Sequence, residues 1–153
     1  MLEAIFVASI DDLTSDDYSR PQQEAWIAAL DADALASRLG AQLTLVATLG
    51  DAPVGFASLK DNKVIDMLYV HPGAARQGIA TVLVDALEKL AAARGADALT
   101  VDASDTARPF FAQRGYSPEV RKTILVGDEW LGNTTMKKTF AAAPQEVPKG
   151  PLQ

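Results

Sequence analysis

The chain reads as a mixed α/β (α+β) fold, and three observations carry that reading. Three apolar stretches between Leu43 and Val70, separated by turn residues, form a strand meander. The third stretch runs into a loop of small residues that opens an amphipathic helix. A further strand, a short helix and a strand pair then close the pattern.

Leu2–Leu13 admits either a buried strand or the apolar side of a helix. The helix is preferred, because Ile5, Ala8 and Asp12 give a mixed face. Asp11–Ser19 is a polar connection. Ser19-Arg-Pro-Gln22 is a helix-start signature, with Ser19 as N-cap, Pro21 in the first turn and Gln22 in the capping-box position. That helix runs through Leu30, and Asp33–Leu39 forms a second one closed by Gly40. The meander comprises Leu43–Leu49, Val54–Lys60 and Val64–Val70, turned at Gly50–Pro53 and Asp61–Lys63. Asp66 interrupts the apolar run of the third strand.

The helix from about Gln77 to Arg94 carries Leu83, Leu87 and Leu90 on one side and Asp85, Glu88 and Lys89 on the other, and Gly95 ends it. Ala98–Ala103 is a strand. Ser104 or Asp105 caps a helix that holds Ala107, Phe110 and Phe111 and stops at Gly115. Glu119–Val126 and Asn133–Phe140 pair around Gly127–Gly132. Residues 1–140 form one domain, and residues 141–153, which contain Pro144, Pro148, Gly150 and Pro151, form a flexible tail with little to bury.

Composition narrows the function. A length of 153 residues suits one domain with one sizeable core. With no cysteine there is no disulfide framework, no thiol nucleophile and no thiolate metal site, and no metal is expected. The net charge of −6 argues against nucleic acid or an anionic membrane as a partner and accords with a cationic substrate. No apolar run approaches the ~20 residues that span a bilayer. Met1-Leu-Glu does not begin a signal segment, so a cytoplasmic protein is expected.

The most informative stretch is Val64–Val70, His71-Pro72, then Gly73-Ala-Ala-Arg-Gln-Gly-Ile-Ala80. A strand followed by a small-residue loop and a helix aims several backbone N–H groups at one point, beside the positive end of the helix dipole. Such a point binds phosphate or pyrophosphate, which implies a nucleotide-bearing ligand. A Rossmann-type binder is disfavoured, because doubly wound folds alternate strands with helices whereas three strands in succession precede this loop.

These motifs, in this order, resemble the Gcn5-related N-acetyltransferase (GNAT) superfamily. Val70-His71-Pro72 with Arg76-Gln77-Gly78-Ile79-Ala80 is similar to the family's fourth strand and its acetyl-CoA pyrophosphate loop. Val101–Ser104 followed by Ala107–Tyr116 is similar to its second signature, a strand leading to a helix that ends in Gly-Phe or Gly-Tyr. Asp17-Tyr18-Ser19, Gln23 and Trp26 resemble a subgroup of small bacterial members. The resemblance implies a mostly antiparallel twisted sheet flanked by helices. Met1–Leu13 matches the family's first helix, so the usual first strand is missing. Three positions depart from the pattern: Ala75 replaces a Gln or Arg of the loop, Phe111 replaces a tyrosine that protonates the leaving thiolate, and Ser104 replaces an Asn.

The implied activity is N-acetylation, in which a primary amine of a small molecule or peptide attacks acetyl-CoA directly. A non-catalytic acyl-CoA-binding module is the alternative. Amides of Arg76, Gln77, Gly78, Ile79 and Ala80 would take the pyrophosphate, and Leu68, Tyr69 and Val70 would pair with pantetheine like an extra strand. The N–H of Leu68 or Met67 would polarise the thioester carbonyl, an effect typically of ~3–4 kcal/mol.

Asp66 is the first candidate for the base, its pKa raised by partial burial, or else it anchors the substrate ammonium. Ser104, Tyr116 or water would protonate the thiolate, with Tyr116 more consistent with core, and Phe110 and Phe111 would pack near the coenzyme. Tyr18, Trp26 and Trp130 could frame the acceptor pocket, where aromatic walls suit a cation, or belong to the core or to a dimer contact. His71, just before Pro72, reads as structural. A missing first strand would leave an open sheet edge, so a monomer or a homodimer is expected.

Overall fold

The structure, a computed structural model, describes residues 1–140; the expected tail lies outside them. Three helices come first: α1 (Leu2–Leu13), α2 (Arg20–Ala28) and α3 (Ala32–Gly40). The meander β1 (Leu43–Leu49), β2 (Ala52–Lys60) and β3 (Val64–Val70) follows, then a 3-10 turn at Pro72–Ala74 and helix α4 (Ile79–Ala93). The chain continues with β4 (Ala98–Ser104), α5 (Arg108–Gln113), β5 (Ser117–Val126) and β6 (Glu129–Thr139). The six strands form one sheet in the order β1-β2-β3-β4-β6-β5, antiparallel throughout except where β3 meets β4. No strand precedes α1 among the described residues, and β1 is an edge of the sheet. No described helix is long and apolar enough to cross a membrane.

Leu2–Leu13 is a helix because its buried residues fall at helical spacing: apolar Ile5, Phe6 and Ile10, with Ser9 beside them. The capping box at Ser19 is present. Gln22 N–H donates to Ser19 Oγ at 3.2 Å, and Gln22 Oε1 accepts from Ser19 N–H at 2.8 Å. Asp31 caps α3 by accepting from Ala34 N–H at 2.8 Å.

Several boundaries differ from expectation. β6 begins at Glu129 rather than Asn133, because Gly127, at φ 58°, with Asp128 closes the hairpin in two residues. Trp130 therefore stands in a strand opposite Leu125 rather than in a loop. α5 starts at Arg108. Ser104 instead stabilises the turn before it, its Oγ accepting from Ala107 N–H at 3.1 Å.

Two apolar clusters fill the two faces of the sheet. Leu59, Ile65, Leu83, Leu87, Val101 and Phe111 belong to the cluster beneath α4 and α5. Ile5, Phe6, Ile10, Leu35, Phe56 and Met67 belong to the cluster beneath α1 to α3. Gly55 on β2 lets α4 sit close: a Cβ there would lie 3.0 Å from Ile79 Cγ2 and 3.2 Å from the Tyr69 carbonyl oxygen.

Candidate active site

The site arises where β3 and β4 part. Both strands are seven residues long, yet they pair only at Val64 with Thr100 and Ile65 with Val101. Beyond Ile65 a bulge occurs: Ser58 of β2 faces Met67 and Leu59 faces Ile65, so Asp66 has no partner. The extra residue re-aims the strand. At its end His71 N–H donates to the Val54 carbonyl at 2.8 Å, toward β2. The two-residue alternation of a strand then turns the N–H and C=O of Leu68 and Val70 the other way, into the gap. That gap holds an unpaired strand edge, the surface on which an extended amide-bearing ligand pairs.

Two cavities meet at the gap. The first, about 420 Å³, is bordered by Leu68, Gly78, Ile79, Ser104, Phe110 and Phe111. At its mouth Arg76 (φ 66°) and Gly78 (φ 79°) are both left-handed. They curl the loop so that α4 starts at the cavity. Val82 N–H is bonded to the Gly78 carbonyl, so the N–H groups of Ile79, Ala80 and Thr81 precede the helix's first backbone bond. A Cβ on Gly78 would meet nothing within 4 Å, so the space over the loop is open. These features fit an anionic group. Gln77 does not border the cavity; its side chain ties the loop to the Gly73 carbonyl at 3.3 Å.

The second cavity, about 310 Å³, lies on the α1–α3 face, with Tyr18, Trp26, Arg38, Tyr69, Val126 and Asn133 among its walls. Its aromatic rings form a chain: Tyr18 to Trp26 at 5.4 Å, Trp26 to Tyr69 at 6.5 Å and Tyr69 to Phe6 at 4.9 Å, all edge-on. Tyr18 also holds three elements together, its hydroxyl accepting from Asp105 N–H at 2.8 Å and donating to the Gly132 carbonyl at 2.6 Å. Burial raises both phenols above their ordinary value, Tyr69 to about 12. Trp26, Ile65, Asp66, Met67, Tyr69, Asp102 and Ser104 border both cavities, so the two meet at the parting of the strands.

Asp66 stands there, but not as a free carboxylate. Arg38 of α3 donates Nε to Oδ2 and Nη2 to Oδ1, both at 2.7 Å, and Gln42 Nε2 adds a third bond at 2.7 Å. Burial pushes the carboxyl up, but these bonds and the guanidinium charge outweigh it and hold the carboxyl below its ordinary value. The expected upward shift is therefore reversed, which makes Asp66 a weak proton acceptor. Nothing local in the sequence marks Arg38 or Gln42 as its partners. They are 28 and 24 residues away and meet it only through the packing of α3 on the sheet.

Tyr116 and Trp130 lie away from the gap. Tyr116 is buried beneath α4, where its hydroxyl donates to Glu88 at 2.8 Å, and burial together with that bond drives its pKa upward. It borders neither cavity. Trp130 is 60% exposed, and its carbonyl accepts from Gln22 Nε2 at 2.7 Å. The loss of Trp130 from the acceptor wall follows from the tight hairpin turn. His71 has the structural role expected of it, Nδ1 accepting from Gly73 N–H at 3.0 Å.

A parted pair of parallel strands, with a loop of free helix-start amides at one side and a second cavity at the other, leaves room for two ligands to meet end to end. Residues 14–140 match the family model for the acetyltransferase (GNAT) domain, and the chain belongs to that family of acetyl-CoA-dependent acetyltransferases. This membership favours a catalyst over a binding module.

An uncharacterized N-acetyltransferase of Escherichia coli K12, YafP, is 34% identical over 134 residues, covering 88% of this chain and 85% of that one. The crystal structure of a GCN5-related N-acetyltransferase from Rhodopseudomonas palustris matches with a TM-score of 0.88 at 60% identity, over 90% of this chain and 87% of the other. The PaiA N-acetyltransferase of Thermoplasma acidophilum, whose structure was determined with coenzyme A, shares the fold at 20% identity, TM-score 0.72 and 91% coverage of both chains.

Proposed function

We propose that the protein transfers the acetyl group of acetyl-CoA to a primary amine of a small molecule or peptide, by direct attack of the amine nitrogen on the thioester. The observation that carries this reading is the junction of two cavities at one unpaired strand edge, because direct transfer needs both substrates in contact and no enzyme-bound acyl intermediate.

In this reading the first cavity takes the coenzyme. Amides of the loop from Arg76 to Ala80 hold the pyrophosphate, with Gln77 bracing the loop through its side chain. The edge of Leu68 to Val70 pairs with pantetheine, and Phe110 and Phe111 wall the channel. The Leu68 N–H, turned into the gap, polarises the thioester carbonyl. The second cavity takes the amine. Tyr18, Trp26 and Tyr69 present ring edges and faces to an acceptor with an apolar body and a cationic head. Asp66, clamped by Arg38, shapes the floor and is not the base. Ser104, which borders both cavities, is the hydroxyl offered to the departing thiolate.

Thiol release measured with acetyl-CoA and a panel of primary amines tests this. Amine-dependent release of coenzyme A, with the acetylated amine found by mass spectrometry, is the expected result. Tight acetyl-CoA binding without acetylation of any amine would remove the proposal.

A further inference from the structure

We propose that Asp102 holds the acceptor's ammonium at the parting of the strands and takes the proton that the nitrogen sheds as the new C–N bond forms. The inference rests on the reading of the second cavity as the amine site.

Asp102 occupies a distinctive place. The last paired positions of β3 and β4 are Ile65 and Val101, so Asp66 and Asp102 are the first residues past the parting, one on each strand. Asp102 borders both cavities. Its register partner on β6 is Thr135, whose hydroxyl donates to Oδ1 at 2.7 Å. That bond fixes the carboxylate without consuming its capacity, because a carboxylate has about four lone-pair sites.

The other proton-handling groups near the gap are engaged or unsuited. Asp66 is held by a two-pronged guanidinium and by Gln42, all at 2.7 Å. Tyr69, at about 12, keeps its proton at neutral pH. Ser104 offers only a neutral hydroxyl, too weak a base to take up the proton. His71, the single histidine of the chain, borders neither cavity.

A second observation points to the ligand. Lys122 of β5 places its ammonium 3.1 Å from Asp102 Oδ1. A primary alkylammonium on this carboxylate is the contact that an amine substrate needs. The Lys122 and Asp102 side chains are 37% and 52% exposed, so the pair is a weak one that an incoming ammonium can exchange at little cost. The Arg38–Asp66 pair, with two parallel bonds, does not exchange in this way. The charged group in contact with Asp102 is thus Lys122 from β5.

The step balances as follows. The docked ammonium loses one proton to solvent, which exposes the nitrogen lone pair. The nitrogen attacks the thioester carbon, the C–N bond forms, and the carbonyl electrons move to oxygen. The now acidic nitrogen passes its next proton to Asp102. Collapse breaks the C–S bond and expels the thiolate, which takes up a proton through solvent as Asp102 gives one back. The sum is R–NH3+ plus acetyl-CoA giving R–NH–acetyl, CoA-SH and H+.

The test compares wild type with Asp102→Asn, Asp102→Glu and Lys122→Met, on 2-phenylethylamine, spermidine and an unblocked dipeptide, at saturating acetyl-CoA. For the best amine, Asp102→Asn is expected to lower kcat by about 100-fold or more, the range of a general base. Asp102→Glu should restore part of that loss. Lys122→Met should lower the amine KM, because a competing cation is gone. Calorimetry with acetyl-CoA should give wild-type affinity for all three, which separates chemistry from misfolding. A kcat for Asp102→Asn within about threefold of wild type overturns the inference while leaving the acetyltransferase reading intact. A raised KM at unchanged kcat overturns the proton-transfer role and leaves Asp102 an ammonium anchor alone. If the wild type binds acetyl-CoA and acetylates no amine, the parent reading fails and Asp102 falls with it.

Discussion

Asp66 and Asp102 stand on adjacent parallel strands one residue past the last paired positions, and their counter-charges differ in kind. Asp66 meets the rigid fork of Arg38, whereas Asp102 meets the single, mobile ammonium of Lys122. One carboxylate is thereby committed to structure, and the other remains exchangeable. The strand edge between them belongs to the gap where both cavities open.

The Arg38–Asp66 pair has a pH signature. The folded carboxyl lies below its ordinary value. Its contribution to stability is therefore complete above the unfolded pKa of about 3.9 and is lost as pH falls through the lower folded value. Arg38→Met should destabilise the fold by about 1–2 kcal/mol at pH 7, the scale of bonds to a charged group partly open to water. Urea titrations at pH 7 and in the acid limb check it. The gap between variant and wild type should narrow as pH drops below about 4. A gap that does not change with pH would assign the loss to packing alone.

At the loop, Gly78→Glu should weaken acetyl-CoA binding by at least ~10-fold, because a carboxylate would stand where the loop amides meet an anion, and φ 79° penalises any side chain. Isothermal calorimetry reads this directly, with circular dichroism as the folding check. Unchanged affinity would move the pyrophosphate elsewhere.

Tyr116→Phe separates core from catalysis. The hydroxyl donates to Glu88, which also meets Lys138 at 2.9 Å. Its removal should cost about 1–2 kcal/mol of stability. Turnover should stay at the wild-type level, since Tyr116 borders neither cavity. A large fall in kcat at unchanged stability would return Tyr116 to the reaction.

Local patterns in the chain were enough for the element order, the capping box at Ser19, the small-residue loop before α4 and the family. Each is written in residues close in sequence: helical spacing, a capping residue, a glycine at positive φ. The tight turn at Gly127 is not legible in the sequence, for a physical reason. Trp130–Gly132 carries no alternation strong enough to outweigh its glycine, and cross-strand pairing with Leu125 and Thr123 makes it a strand.

What only the tertiary structure decided is the state of the ionisable groups. Arg38 reads as an ordinary surface residue of α3 until that helix packs on the sheet and brings its guanidinium onto Asp66. Asp102 reads as a polar strand position until the partial pairing of β3 and β4 leaves it at the junction of two cavities. Local sequence encodes backbone conformation because propensity and capping act over a few residues. A carboxylate's proton affinity depends on charges that the fold delivers from far along the chain, and that information exists only once the helices have docked.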